Sequence, residues 1–216
     1  YAKYFNEMSD YNKGCFMGAV ALSARGCNHY KWTSNIVGKK IKPFRYISFE
    51  KNFRNKISKH YFPSKKNIKI INMDSRILTK KIKKNSIDLI ISSPPYFDAL
   101  DYTSYHNKFI IDLLGLKKEN IKKNLIQKLD TYKKSMIKVF NEIDYVTKKN
   151  AKIIFIVGDK KNKDGNILKG NNFFTSIAPF KKFSIIERNY SNTSSQVIDK
   201  INKTKRKEQI IIWEKK

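Results

Sequence analysis

The sequence predicts an α/β protein built on a doubly wound, mostly parallel sheet. Two observations carry that expectation. Short β-branched runs alternate with amphipathic helical stretches, the pattern of a sheet with crossover helices. Three of the runs also end on polar residues, at Asp74, at Ser92-Ser93 and at Gly158-Asp159. Open sheets of this kind bind ligands at the carboxyl ends of their strands.

Taken in order, residues from about Phe5 to Ala24 read as a helix, with Phe16, Val20 and Ala24 at four-residue spacing. The stretch from Asn28 to Pro43 is loop-like, punctuated by Gly38 and Pro43. Phe49, Phe53 and Ile57 mark a second helix. Ile68 to Met73 and Ile87 to Ile91 are short β-branched runs, read as strands buried in a parallel sheet. Phe109 to Leu116 reads as a helix stopping at Gly115. Tyr132, Met136, Val139, Phe140 and Ile143 share one face of a longer helix. Ile153 to Val157 is the next buried strand, and Phe173 to Phe180 a short helix. Ser184 to Tyr190 and Gln209 to Trp213 form a closing pair of strands.

Composition narrows the partners. Among 216 residues, 46 are Lys or Arg and 18 are Asp or Glu, a net charge of +28. A field of that sign attracts polyanions, nucleic acid above all. Abundant Lys, Asn and Ile together also fit the coding bias of an A+T-rich genome. The lysine clusters at Lys80–Lys84, Lys117–Lys123 and Lys203–Lys207 read as solvated faces or loops. Cys15, Cys27 and His29 match no zinc spacing, so the thiols are expected buried and reduced, in the cytoplasm. No apolar run is long enough to span a bilayer.

The most specific signal is Ile87-Asp88-Leu89-Ile90-Ile91-Ser92-Ser93-Pro94-Pro95-Tyr96, a strand running straight into Ser-Pro-Pro-Tyr. The exocyclic amino group of a nucleobase is a poor nucleophile, because its lone pair is delocalised into the ring. Acceptors for both amino protons favour a pyramidal nitrogen with a localised pair. Ser93 Oγ can accept one proton and a carbonyl of the Pro94-Pro95 segment the other. Prolines hold φ fixed and bring no competing N–H. Tyr96 offers a flat face for an extruded base.

On these residues the chain resembles the DNA amino-methyltransferases, whose signature is Asp, Asn or Ser followed by Pro-Pro and an aromatic. The Ser form resembles the cytosine-N4 branch. Ile71-Asn72-Met73-Asp74-Ser75-Arg76 is similar to the family's segment whose acidic residue contacts the donor. The stretch Tyr96 to Tyr102 with His106 and Lys108, the strand ending Val157-Gly158-Asp159, Arg188 and the strand from Glu208 to Trp213 follow one group's order.

The resemblance implies a Rossmann-like fold, its mostly parallel sheet closed by an antiparallel terminal strand, using S-adenosylmethionine, and a site-specific methyl transfer to cytosine N4 in DNA, as in restriction-modification. Ser93, Pro94, Pro95 and Tyr96 would be catalytic, and Asp74, Ser92 and Ser93 would hold the donor. Tyr96, Tyr102, Arg188, Lys203 and Lys205 would contact DNA. Residues 1–60 would be a helical N-terminal segment and 61–216 a single catalytic region. The eight glycines form no Phe-x-Gly-x-Gly loop of the kind that cradles the donor's methionine end. The first two strands and that loop are therefore expected upstream or on a second polypeptide, and the chain alone should bind the donor weakly. The other readings are adenine-N6 methylation and a non-catalytic DNA-binding subunit.

Overall fold

The computed structural model describes residues 2–26, 46–61, 69–95, 103, 110–112, 114–126, 129–161, 165–189 and 207–216. The chain divides into two compact units, Tyr1–Ile70 with Asp101–Leu125, and Ile71–Leu100 with Ile126–Lys216.

In the first unit a 3-10 turn, Ala2–Glu7, precedes helix α1, Asp10–Gly26. The expected start near Phe5 moves to Asp10 because Ser9 Oγ accepts the N–H of Asn12, satisfying a donor of the first turn. Helix α2, Phe49–His60, begins the same way: Ser48 Oγ accepts the N–H of Lys51. The two helices pack through Cys15, Phe16, Ala19 and Phe53. Phe16 sits edge-on to Phe49 and Phe53, with ring centroids 5.2 and 5.8 Å away. Cys15 is a buried free thiol, as expected, whereas Cys27 and His29 lie outside the described residues.

Residues 110–112 are helical and end at Gly115, whose φ is +64°. Gly115 N–H reaches Asp112 O and Leu116 N–H reaches Ile111 O, a Schellman termination that favours glycine at that φ. A short helix, α3, follows at Lys118–Asn124.

The second unit is mixed α/β. Its sheet contains β1 (Ile87–Ser92), β2 (Thr147–Gly158), β5 (Lys182–Asn189) and β6 (Lys207–Glu214), in the order β1-β2-β6-β5. A separate small ribbon pairs β3 (Lys160–Lys161) with β4 (Ile167–Leu168). β1 and β2 pair in parallel, while β6 lies antiparallel to both β2 and β5. Three strands of the sheet therefore point one way, and the last strand in sequence runs against them.

Helix α4, Leu129–Val146, covers one sheet face. Tyr132, Met136, Val139, Phe140 and Ile143 are all buried, as their spacing predicts. Phe140 stacks on Phe155 at 5.4 Å and meets Trp213 edge-on at 5.6 Å. Each such fully buried side chain contributes roughly 1.5–3 kcal/mol.

Two expectations are corrected. Residues 69–74 form no strand, and Ile70 is 87% exposed. A β-branched run becomes a strand only where another strand answers its backbone groups, and none of the described strands pairs with it. β1 is a strand but is not buried on both faces: Ile90 packs on the core, while Leu89 and Ile91 are exposed. β1 ends the row of described strands, so β2 alone pairs with it.

Candidate active site

The site is built at the carboxyl end of β1. Ser92 is the last strand residue, opposite Phe155 of β2, and Ser93-Pro94-Pro95 leaves the sheet directly after it. Ser93 is exposed, Pro94 buried and Pro95 half-buried. Ser93 Oγ lies 3.4 Å from the Ile156 carbonyl, to which it donates its only proton. That weak bond turns the hydroxyl lone pairs away from the sheet, where they can accept.

Pro95 is held from the other side. Tyr132 is buried at the start of α4, and its hydroxyl donates to the Pro95 carbonyl at 2.6 Å. Its ring lies against Phe173 and Phe174 of α5, Gly170–Ile177. By its helical spacing alone Tyr132 reads only as a core residue. The available signal was its polar tip, since a buried phenol needs a partner.

Beneath the prolines lies a cavity of about 260 Å³. Its walls are mostly apolar, from Leu78, Ile90, Met136, Val139 and Phe155 among others, with Ser75 and Ser92 as polar lining residues. Asp74 stands beside it, one residue before Ser75. It accepts the Arg76 N–H at 2.8 Å and so caps the 3-10 segment Ser75–Lys80. The Arg76 guanidinium also grips both carboxylate oxygens at 2.5–3.0 Å. These bonds, the guanidinium foremost, hold the Asp74 carboxyl below its usual range. Together they use about four lone-pair sites, the carboxylate's whole capacity. Nothing in the sequence pattern marks Arg76 for this role.

Asp159, directly after β2, holds the start of α5: its Oδ1 accepts the Gly170 N–H at 3.0 Å. A Cβ on Gly170 would fall 2.5 Å from the Gly158 carbonyl oxygen, so glycine is required for that approach. Arg188 lies in β5 opposite Glu208 of β6. Tyr96, Tyr102, Lys203 and Lys205 lie outside the described residues, as do Asp98, Asp101 and His106. Among the described residues no His, Cys, Asp or Glu cluster could hold a metal, and no helix is long and apolar enough to cross a membrane.

The chain matches no protein-family model and no curated protein. It is similar to solved structures of a candidate DNA modification methylase from Thermus thermophilus. The selenomethionine form is 13% identical over 66% of this chain and 50% of that one, at a TM-score of 0.40. A second form is 11% identical over 67% and 52%, at 0.41. The form complexed with S-adenosyl-L-methionine is 14% identical over 66% and 53%, at 0.39. The chain thus spans about half the length of these structures. Likenesses this slight carry no argument about function.

Proposed function

We propose that this chain is the target-base half of a DNA amino-methyltransferase that methylates cytosine N4 with S-adenosylmethionine. The observation that carries the reading is the placement of Ser93-Pro94-Pro95 at a strand's carboxyl end, stiff, and anchored by Tyr132. Ser93 Oγ would accept one amino proton of the flipped base. The second acceptor would be a carbonyl of the Pro94-Pro95 segment; that of Pro95 accepts from Tyr132 and keeps a second lone pair. Two fixed acceptors aimed at the reacting nitrogen are the preorganised electrostatics that lower such a barrier. Tyr96 would stack on the base, with Tyr102, Arg188, Lys203 and Lys205 on the DNA around it.

The donor supplies a methyl group on a positively charged sulfur, open to in-line attack. The cavity under the prolines fits one end of it: mostly apolar walls for a flat ring, with Ser75 and Ser92 as polar lining residues. Asp74 is the remaining donor-binding candidate, and it must be released by Arg76 to act. The glycine-rich loop for the methionine end is assigned to another segment or polypeptide. After transfer the amino nitrogen is cationic and loses its proton readily, so no strong base is required beforehand.

The test is to express the full reading frame containing this chain in a host free of DNA methylation and digest the DNA to nucleosides. N4-methylcytosine, sharply reduced with Ser93→Ala, is the expected result. N6-methyladenine would move the assignment to adenine. Unmodified DNA from a soluble, folded protein would favour the non-catalytic DNA-binding subunit.

A further inference from the structure

The lysines dispersed along the sequence are gathered, in the second unit, at the end of the sheet opposite Ser93. The turn before β1 bonds to the end of α4, through Asn85 N–H to Tyr145 O and Ser86 N–H to Val146 O. The start of β2 bulges against β1: Ile87 pairs with Thr147 but Leu89 pairs with Lys152, so β1 leaves residues 148–151 unpaired, and of these Lys148, Lys149 and Asn150 are exposed. Asn150 takes φ +65° there and bonds to Lys215. Lys182, beside Lys181, sits opposite Glu214 at the same end of β5. These contacts fix the turns that carry the charges.

The charge at this end is unbalanced. Asp88 pairs with Lys148 at 2.8 Å, Glu214 with Lys152 and Lys182, and Asp144 with Lys215 at 3.3 Å. Glu142, a turn earlier on α4, accepts the Thr79 N–H. Exposed Lys83, Lys84, Lys149 and Lys181 have no ion-pair partner among the described residues. Lys84 Nζ stands 5.6 Å above the ring of Tyr145, which is 45% exposed. Lysines on braced turns around an exposed aromatic suit a phosphate backbone rather than a disordered basic tail. Tyr132 and Tyr145 bracket α4, and thirteen residues of helix span about 20 Å. The patch is thus too far from Ser93 to be part of the base pocket.

We propose that the turns at Lys83-Lys84 and Lys148-Lys149, with Lys181 and Tyr145, form a second DNA-binding surface that holds duplex backbone about 20 Å from the target-base site. It rests on the methyltransferase reading only in choosing duplex DNA over other polyanions.

The test measures binding of a fluorescein-labelled duplex to the whole chain by anisotropy across a salt series. The triple variant K83Q/K84Q/K149Q is compared with K133Q/K134Q/K138Q, which removes equal charge from the exposed face of α4. Melting curves confirm that both fold. The patch variant should lose at least tenfold in affinity near 0.1 M salt, and its log K against log salt slope should fall by about 2–3, close to one per lost phosphate contact. The control should stay within about twofold. Equal loss in both variants, no loss in either, or no duplex binding by the parent chain would overturn the proposal. So would loss of binding to phosphatidylserine vesicles with duplex affinity unchanged, which would assign the patch to a lipid surface. The readout is binding, not methylation, so a chain that binds through this patch but never methylates would sink the catalytic reading alone.

Discussion

The hydroxyl of Tyr132 and the carbonyl of Pro95, thirty-seven residues apart in sequence, meet at 2.6 Å. The bond ties the loop after β1 to the first turns of α4, which is itself clamped to the sheet by Phe140. The loop's carbonyls are thereby aimed by the core.

Tyr132→Phe keeps the ring and removes that bond. One buried hydrogen bond contributes about 1 kcal/mol, so the melting temperature should fall by a few degrees. If the loop is the catalytic one, kcat should drop more than KM changes, because the acceptors lose their aim. A variant with unchanged melting and unchanged kcat would show that the contact positions nothing.

Ser93→Ala should leave stability nearly unchanged, since its only bond is long and exposed. In the complete enzyme it should cost a few kcal/mol of transition-state stabilisation, on the order of a hundredfold in rate. Tyr96→Ala should cost roughly 1–3 kcal/mol through lost stacking. Wild-type methylation rates in both variants would remove the catalytic assignment.

Glu214 lies between Lys152 and Lys182, and their hydrogen bonds, that of Lys152 first, lower its carboxyl from 4.5 to about 2. A depressed folded pKa contributes stability above the unfolded value and loses it as the folded value is approached. The contribution should be complete above about pH 4.5 and fade between there and pH 2. Glu214→Gln should flatten the acid limb of a melting-temperature profile in that window. A superimposable acid limb would mean the ladder contributes nothing.

Two glycines should respond oppositely to alanine. Gly170→Ala would press a methyl against the Gly158 carbonyl, a backbone atom that cannot swing away, and should destabilise by about 1–3 kcal/mol. Gly14 lies within α1 with nothing within 4 Å of the added Cβ. There alanine should stabilise by about 0.5–1 kcal/mol, through helix propensity. Denaturant midpoints of the two variants, on opposite sides of wild type, are the expected outcome.

The sequence by itself determined what short-range pattern can specify. The five apolar positions of α4 lie on one face at helical spacing, and any packed structure must bury them together. The run from Ile87 into Ser93-Pro94-Pro95 announced a strand ending in a rigid loop, because proline forbids continuing the ladder. Gly115 marked a helix end through its backbone freedom. The tertiary structure alone decided the rest, because it depends on groups distant in sequence. Whether Ile68–Met73 forms a strand turns on a pairing partner that its own residues do not encode. That β6 inserts between β2 and β5 is a matter of register across fifty residues. Tyr132 holds the loop, and Ser93 meets Ile156, only because α4 and β2 pack beside β1. The basic surface shows the same limit: its lysines are neighbours in space through hydrogen bonds between turns, and sequence order scatters them.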